Sequence, residues 1–493
     1  MSLKFISAEQ AAEMVNNKDT VSFSGFTPAG AAKAVPTAIA KRAETLHAAG
    51  KEFKIGMITG ASTGPSLDGA LAKADAVLWR TPYQSNGDLR KALNSGKAPF
   101  FDQHLSHTSQ YIDYGYLGKI NVAVIEACDV FDDGTIIPTS SCGTIATGCQ
   151  QADIVIVELN KKHPKSLRGI HDIYHPAKPP HRREIPIYTP SDRIGVDHIK
   201  VDAKKIAGVV ETDLMDEVHP FDPADPLTDK IGHNVAEFLL NEIKVGRIPK
   251  EFLPIQSGVG NIANAVLGSL GENKDVPAFN MYTEVIQDSV ISLMREDRVK
   301  FASGCSLTVS PECLTEIYSD LKFFYPKLVL RPQEISNSPE IARRIGVIAI
   351  NTAIEMDIFG HINSTHILGT KMMNGIGGSG DFTRNAYLTI YTAPSVAKGG
   401  TISAIVPMCS HIDHTEHDTM IFVTEKGIAD LRCKTPIQRA QIIIENCVHE
   451  DYKQLLWDYL KQGGLAHTPH TLSKALSMHT EFLNSGDMRN TKM

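Results

Sequence analysis

Glu284 closes the apolar run FNMYTEVI, between Thr283 and Val285. A carboxylate at the end of an apolar strand is partly desolvated, which raises its pKa and makes its anion more reactive. Such a group can act as the nucleophile of an acyl transfer. The plain alternative is a strand-end glutamate facing water, and two nearby glycine motifs favour chemistry instead. The run QSGVGNIANAV enters a helix through Gly258 and Gly260, so the backbone N–H groups of Val259, Gly260 and Asn261 can point into a cleft and hold an oxyanion. The run NGIGGSGDFTRNA sets Gly375, Gly377, Gly378 and Gly380 before another helical stretch, where positive φ and close backbone approach become available. Neither matches G-x-x-x-x-G-K-[ST] or a dinucleotide fingerprint, which argues against ATP and NAD.

The elements that must carry these groups alternate between strand and helix. DTVSFSGFTPAGAAKAVPTAIAKRAETLHAAG reads as strand, glycine turn at Gly25, then helix, and FKIGMITGAST as the next strand. The same layout returns in FLPIQSGVGNIANAVLGSLG and VPAFNMYTEVIQDS. INVAVIEACDV, ADIVIVELN, KKIAGVVETD, RIGVIAINTAIEMDIFG, GTISAIVPM and TMIFVTEKG are β-rich and continuously apolar, as buried strands are. The fold class is therefore α/β: two related open α/β domains with mostly parallel or mixed sheets and ligand-facing loops at the strands' carboxyl ends. The Pro- and acid-rich segment ETDLMDEVHPFDPADPLTDKIG marks the boundary between a domain over residues 1–220 and another over 221–493. A Pro-, His- and Lys/Arg-rich stretch around Lys161 to Arg183 reads as a long irregular excursion, a solvated loop or subunit contact in preference to an anion clamp. The tail beyond Glu450 reads as helices covering the second domain.

A chain of 493 residues exceeds one ordinary core, and 42% apolar with 21% charged residues is a globular balance. The formal net charge of −7 argues against nucleic acid. The opening residues lack a secretory pattern and no apolar run reaches spanning length, so a cytoplasmic protein without membrane contact is expected. The eight cysteines form no C-x-x-C pair, and Cys142 and Cys149 are read as buried packing residues. His411, His414 and His417 stand among acids in SHIDHTEHDT, but a hydrogen-bonded loop suits them equally, and no metal is expected.

The runs SGVGNIANAV, MYTEVIQDS, ISNSPEIARRIGVIAINTAIEMDIFG, NGIGGSGDFTRNA and HIDHTEHDTMIFVTEKGIADLR resemble the acetyl-CoA hydrolase/transferase family of class I CoA-transferases. The resemblance covers nearly the whole chain, is strongest from Ser257 to Arg432, and extends weakly to FSGF, TGAST and RTPYQS. Within the family, length and the YTEVIQD form are most similar to succinyl-CoA:acetate and propionyl-CoA:succinate transferases. The resemblance implies that Glu284 is the nucleophile, that the Gly378 amide helps form an oxyanion hole with the Val259–Gly260 backbone, and that the active site lies at the domain interface. It further implies that Asn337, Glu425 and Lys398 line the CoA site or assist the nucleophile, with Gly378 and Asn261 also facing CoA, and that Ser62 contacts the carboxylate substrate. The second domain would then carry the catalytic glutamate and most of the CoA site.

The implied reaction transfers CoA between a short acyl-CoA and a small acid, with acetate as acceptor and succinyl-, propionyl- or butyryl-CoA as donor. It proceeds through a glutamyl-CoA thioester without cofactor or metal, in a homodimer. Glu217 departs from the pattern, standing where some succinate-using relatives have a basic residue. The alternative is net hydrolysis of the same intermediate by water, an acetyl-CoA (acyl-CoA) hydrolase.

Overall fold

Continuously apolar strands need cover on both faces, and the chain supplies it with helices between them. In the computed structural model, which describes residues 3–219 and 225–493, six such strands run parallel. Their order is Val77–Thr81, Ile55–Ile58, Thr20–Phe23, Val122–Val130, Ile154–Asn160, Ile206–Thr212. An antiparallel flap, Thr135–Pro138 and Ile199–Lys200, extends from Val122–Val130. The chain reverses its direction of winding between Thr20–Phe23 and Val122–Val130, and loops at the carboxyl ends diverge at such a switch point. Gly25 lies there at φ +124°, its carbonyl accepting from the Gly60 N–H at 3.0 Å.

The packed units do not follow the halves of the sequence. The first comprises Met1–Pro220, Asn280–Ile345 and Asn374–Asp381; the second Phe221–Phe279, Gly346–Met373 and Phe382–Met493. The expected boundary itself falls on residues 220–224, outside the described ones. Glu284 and the glycine motif around Gly378, assigned to the second domain from sequence, belong to the first unit. Hydrogen bonding explains this. Ser141 bridges Ser306 and His171 bridges Leu330. The buried Arg331 pairs with Asp172 and donates to Ser303 Oγ at 2.9 Å. The basic excursion is part of the same tie: the Ile185 N–H donates to Glu340 at 3.0 Å, and Arg344 donates to the Ile185 carbonyl at 2.6 Å.

The second unit has its own parallel strands, in the order Ile255–Ser257, Ile348–Thr352, Leu388–Thr392, Ile421–Val423, with Ile428–Asp430 antiparallel at the edge. The strand, glycine, helix layout does recur: Gly260 at φ +121° leads from Ile255–Ser257 into helix Asn261–Glu272. The tail helices Glu450–Gln462 and Ser477–Ser485 bury Tyr452, Leu456, Tyr459 and Met478 with Phe422 and Ile443. Among the described residues, no helix is long and apolar enough to cross a membrane. Cys142 and Cys149 are buried, and burial pushes the Cys149 thiol up to about 12.

A charge cluster lies under the first sheet. Lys33 Nζ reaches Glu126 at 2.5 Å, Asp216 at 3.2 Å and the Ala31 carbonyl at 2.9 Å. Glu126 also accepts from Thr139 and Asn160, each at 2.8 Å. Burial disfavours its charge, but Lys33 and His163 hold its carboxyl down at about 2. Glu126, His163 and Asp216 converge closely enough to hold a metal ion, but the Lys33 ammonium already bridges both carboxylates.

Removing one partner from a buried ion pair leaves an uncompensated charge and costs about 3–5 kcal/mol. Lys33→Ala should lose that much stability at neutral pH in urea unfolding. The sign of the pH dependence follows from Glu126. Its carboxyl lies below the unfolded value, so its stabilisation is present above about 4.5 and lost as pH falls toward about 2. The deficit of Lys33→Ala should narrow across that range.

Candidate active site

The expected continuous strand through Glu284 is broken at that residue. Strand Phe279–Tyr282 ends, the Thr283 N–H donates to the Ser303 carbonyl at 2.9 Å, and pairing resumes with Val285–Ile286 beside Ser306–Leu307. At the break the Glu284 carbonyl accepts from the N–H groups of Cys305 at 2.6 Å and Ser306 at 3.3 Å. The backbone is therefore pinned where the ladder is interrupted, and the half-buried side chain leaves the strand in a fixed direction.

Two sequence-predicted residues meet that side chain. A Cβ built on Gly378 would overlap both Glu284 Oε1 and the Asn337 amide nitrogen, so only glycine lets the backbone approach this closely. Asn337 is fully buried at the end of the short helix Gln333–Ser336. Its Oδ1 accepts from Ser336 Oγ at 2.8 Å, which turns Nδ2 toward the acids. Nδ2 has no partner of ordinary hydrogen-bond geometry, yet lies close enough to act on two carboxylates, those of Glu284 and Asp381. Burial pushes Glu284 up to about 8, the Asp381 charge adds to the rise, and Asn337 opposes it.

Residues to which the sequence assigned no role position this group. Ser106 donates to Asp381 from its N–H at 3.0 Å and its Oγ at 2.6 Å. The Ile376 N–H donates to Asp102 at 2.7 Å, and the Gln84 N–H to the Asn374 carbonyl at 3.3 Å. A Cβ on Gly375 would meet Asp102 and Tyr83, and one on Gly380 would overlap the His104 ring. The run of glycines thus permits close packing against three side chains of the first 104 residues, Tyr83, Asp102 and His104. Burial lifts the Tyr83 phenol to about 12 against its bond to Asn374, with the charges of Glu284 and Asp102 adding to the rise. Asp381 itself stood inside a motif singled out in the sequence, one residue past Gly380, and was missed because an acid at a helix start usually serves the helix dipole.

The other expected site residues are placed as follows. Ser62 is buried in the first unit, in a turn where Thr63 donates to Asp68 at 2.8 Å and Arg80 to Asp68 at 3.0 Å. Val259, Gly260 and Asn261 form the glycine-led start of helix Asn261–Glu272 in the second unit, with Val259 exposed. In the same unit Glu425 accepts from the Ser395 N–H at 2.8 Å and from its hydroxyl. Lys398 is exposed at φ +47°, its Nζ 5.3 Å from the Phe482 ring. The three histidines proposed and set aside as metal ligands go separate ways: His411 to Asp413 at 3.2 Å, His414 against the Tyr391 ring, His417 to Glu416 at 3.5 Å.

A partly desolvated carboxylate, pinned at its backbone and approached by a bare main chain and an amide donor, is equipped to attack an acyl carbon. Known proteins match in the same terms. The acetyl-CoA hydrolase/transferase N-terminal domain profile matches residues 2–211 and the C-terminal domain profile residues 314–460. A succinyl-CoA:acetate CoA-transferase of Clostridium kluyveri is 50% identical over 491 residues, 99% of this chain and 90% of that protein. A propanoyl-CoA:succinate CoA transferase of Escherichia coli is 49% identical over 483 residues, 98% of each. An acetyl-CoA hydrolase of Candida glabrata is 40% identical over 499 residues, 98% of this chain and 94% of that one. The crystal structure of RipA from Yersinia pestis aligns with a TM-score of 0.72 over 93% of this chain and 97% of that one; at 20% identity this is a likeness of fold.

A carboxyl raised from 4.5 to about 8 binds a proton in the folded state that the unfolded state lacks, so its contribution falls as pH rises through that window. Glu284→Gln removes the ionisation. Thermal unfolding should find this variant more stable than the parent above about pH 8 and little different below about 4.5.

Proposed function

This chain belongs to the acetyl-CoA hydrolase/transferase family, and on that premise we propose that it moves CoA between a short acyl-CoA and a small carboxylate through covalent catalysis by Glu284. One observation carries the reading: a carboxylate pushed up to about 8 lies against the bare backbone of Gly378 and the amide of Asn337. A Glu284 oxygen attacks the thioester carbon, the C–S bond breaks, and an acyl-glutamyl anhydride and CoA thiolate result. The thiolate then attacks the glutamyl carbon, the departing acid carries off one Glu284 oxygen, and a glutamyl-CoA thioester remains. An incoming acid reverses both steps. The Gly378 N–H is the proposed oxyanion donor, with the Val259–Gly260 backbone as its partner. Lys398, Asn261 and Glu425 are assigned to CoA binding or assistance, and Ser62 to the acid. On this reading the enzyme is a cytoplasmic homodimer needing no metal or cofactor.

Acetate is the proposed acceptor. For the donor, Glu217 is informative: it accepts from the Ser66 N–H at 3.0 Å and Oγ at 2.5 Å, and a Cβ on Gly64 would overlap it. It therefore lies beside the turn that carries Ser62. If Ser62 holds the acid, a second carboxylate on the substrate meets this charge, which favours propionyl- or butyryl-CoA over succinyl-CoA. Glu217→Arg should shift kcat/KM toward succinyl-CoA relative to butyryl-CoA by roughly tenfold. An unchanged ratio across the two donors removes Glu217 from specificity.

Acyl-CoA alone should release its acid and leave CoA mass on the peptide holding Glu284, with parallel initial-rate lines. Glu284→Ala should lose transfer while still binding CoA, and retention above about one-tenth of parental kcat/KM contradicts the assignment. Relatives named as hydrolases make one control necessary: free thiol appearing equally fast with and without acetate would identify the hydrolase instead.

A further inference from the structure

We propose that Asp381 is a positioning residue for Glu284: a second buried carboxylate, anchored by Ser106 and facing the same Asn337 amide, whose charge destabilises the free Glu284 carboxylate and thereby drives it into the uncharged glutamyl-CoA thioester. This rests on the covalent reading above.

The geometry is that of two acids around one donor. Asp381 is 3% exposed and lies in the short helix Ser379–Thr383, three residues beyond Gly378. Ser106 gives one hydrogen bond to each of its oxygens, from Oγ and from N–H, an arrangement that suits the ionised form. The single Asn337 nitrogen that both acids face cannot neutralise two charges. Around the pair stand Tyr83 and Asp102, His104 under Gly380 with His107 beside it, and Cys305 under the Glu284 carbonyl; Arg90 acts on Tyr83. The charge that acts on Glu284 is that of Asp381, and burial raises both acids, Asp381 to about 7.

The consequence follows from charge balance. Free enzyme and acyl-CoA give glutamyl-CoA and a free acid: the Glu284 C–S bond forms, the substrate C–S bond breaks, and the negative charge of Glu284 leaves on the departing acid. Repulsion between the buried Asp381 carboxylate and that of the half-buried Glu284 exists only on the free-enzyme side. Its relief moves the equilibrium toward the covalent intermediate, and a unit of pKa is a factor of about ten in that equilibrium. A purely structural Asp381, tying the glycine motif to Ser106, makes no such contribution.

Asp381→Asn keeps an oxygen for Ser106 and removes the charge. Full-length protein equilibrated with acetyl-CoA and acetate at about pH 8, then acid-quenched, would be weighed intact to measure the fraction carrying CoA. We expect the constant for thioester formation to fall several-fold in Asp381→Asn at that pH, and the acid limb of kcat/KM to move to lower pH. Ser106→Ala serves if that variant folds poorly: withdrawing a hydrogen bond lets Asp381 keep its proton to higher pH. It should show the same deficit near pH 7 and recover by about pH 9. A parent that accumulates CoA on Glu284, with both variants matching it in partition and pH profile, overturns the inference alone. A parent that never acquires CoA overturns the covalent reading and this inference with it.

Discussion

A carboxylate partly withdrawn from water, with a second acid acting on it, is the constraint on which this site depends. Ionised side chains in low dielectric normally take a counter-ion or a proton, and elsewhere in this chain they do: Lys33 pairs with Glu126 and Asp216, and Arg331 with Asp172. Glu284 takes the second: with its carboxyl pushed up to about 8, it holds a proton at neutral pH. Its neighbours are a bare glycine, an amide and a second acid. The surrounding structure maintains that arrangement, with paired charges packed into the scaffold and the unpaired acid set against the Gly378 backbone.

Holding such a group still requires that its backbone be over-determined. The Glu284 carbonyl has two amide donors where a strand residue ordinarily has one. The Asn337 amide is oriented by Ser336, and the glycine motif by Asp102, Ser106, Tyr83 and His104. None of these contacts is individually large, but together they leave the carboxylate few alternative positions. Preorganisation of this kind is what the acyl transfer proposed for Glu284 requires.

The parts legible in the sequence were those whose chemistry sits in contiguous residues. Parallel strands announced themselves as unbroken apolar runs, and the positive-φ turns at Gly25 and Gly260 as glycines between strand and helix. Glu284, Asn337 and Gly378 stood in short motifs and converge in the structure. Other features have no local signature. Ser106 reaches Asp381 across 275 residues, and nothing about a serine at a helix start marks that destination. The grouping of Asn280–Ile345 with the first unit was hidden for the same reason: it is set by bridges such as Ser141 to Ser306, whereas sequence reading divides a chain only where it is interrupted.

That long span has a bearing on how the molecule is made. Ribosomes release a chain from its amino end, and a unit whose contacts are local can close while the remainder is still being polymerised. Here the last piece of the first unit is Asn374–Asp381. A nascent chain can lay down its six parallel strands early, but Ser106, Asp102 and His104 must wait for more than half of the polypeptide before their partners emerge. Contacts of such high sequence separation form late and slowly. A product of synthesis interrupted before Asn374 therefore lacks both the Asp381 partner of Ser106 and the Gly378 backbone, and its Glu284 meets neither.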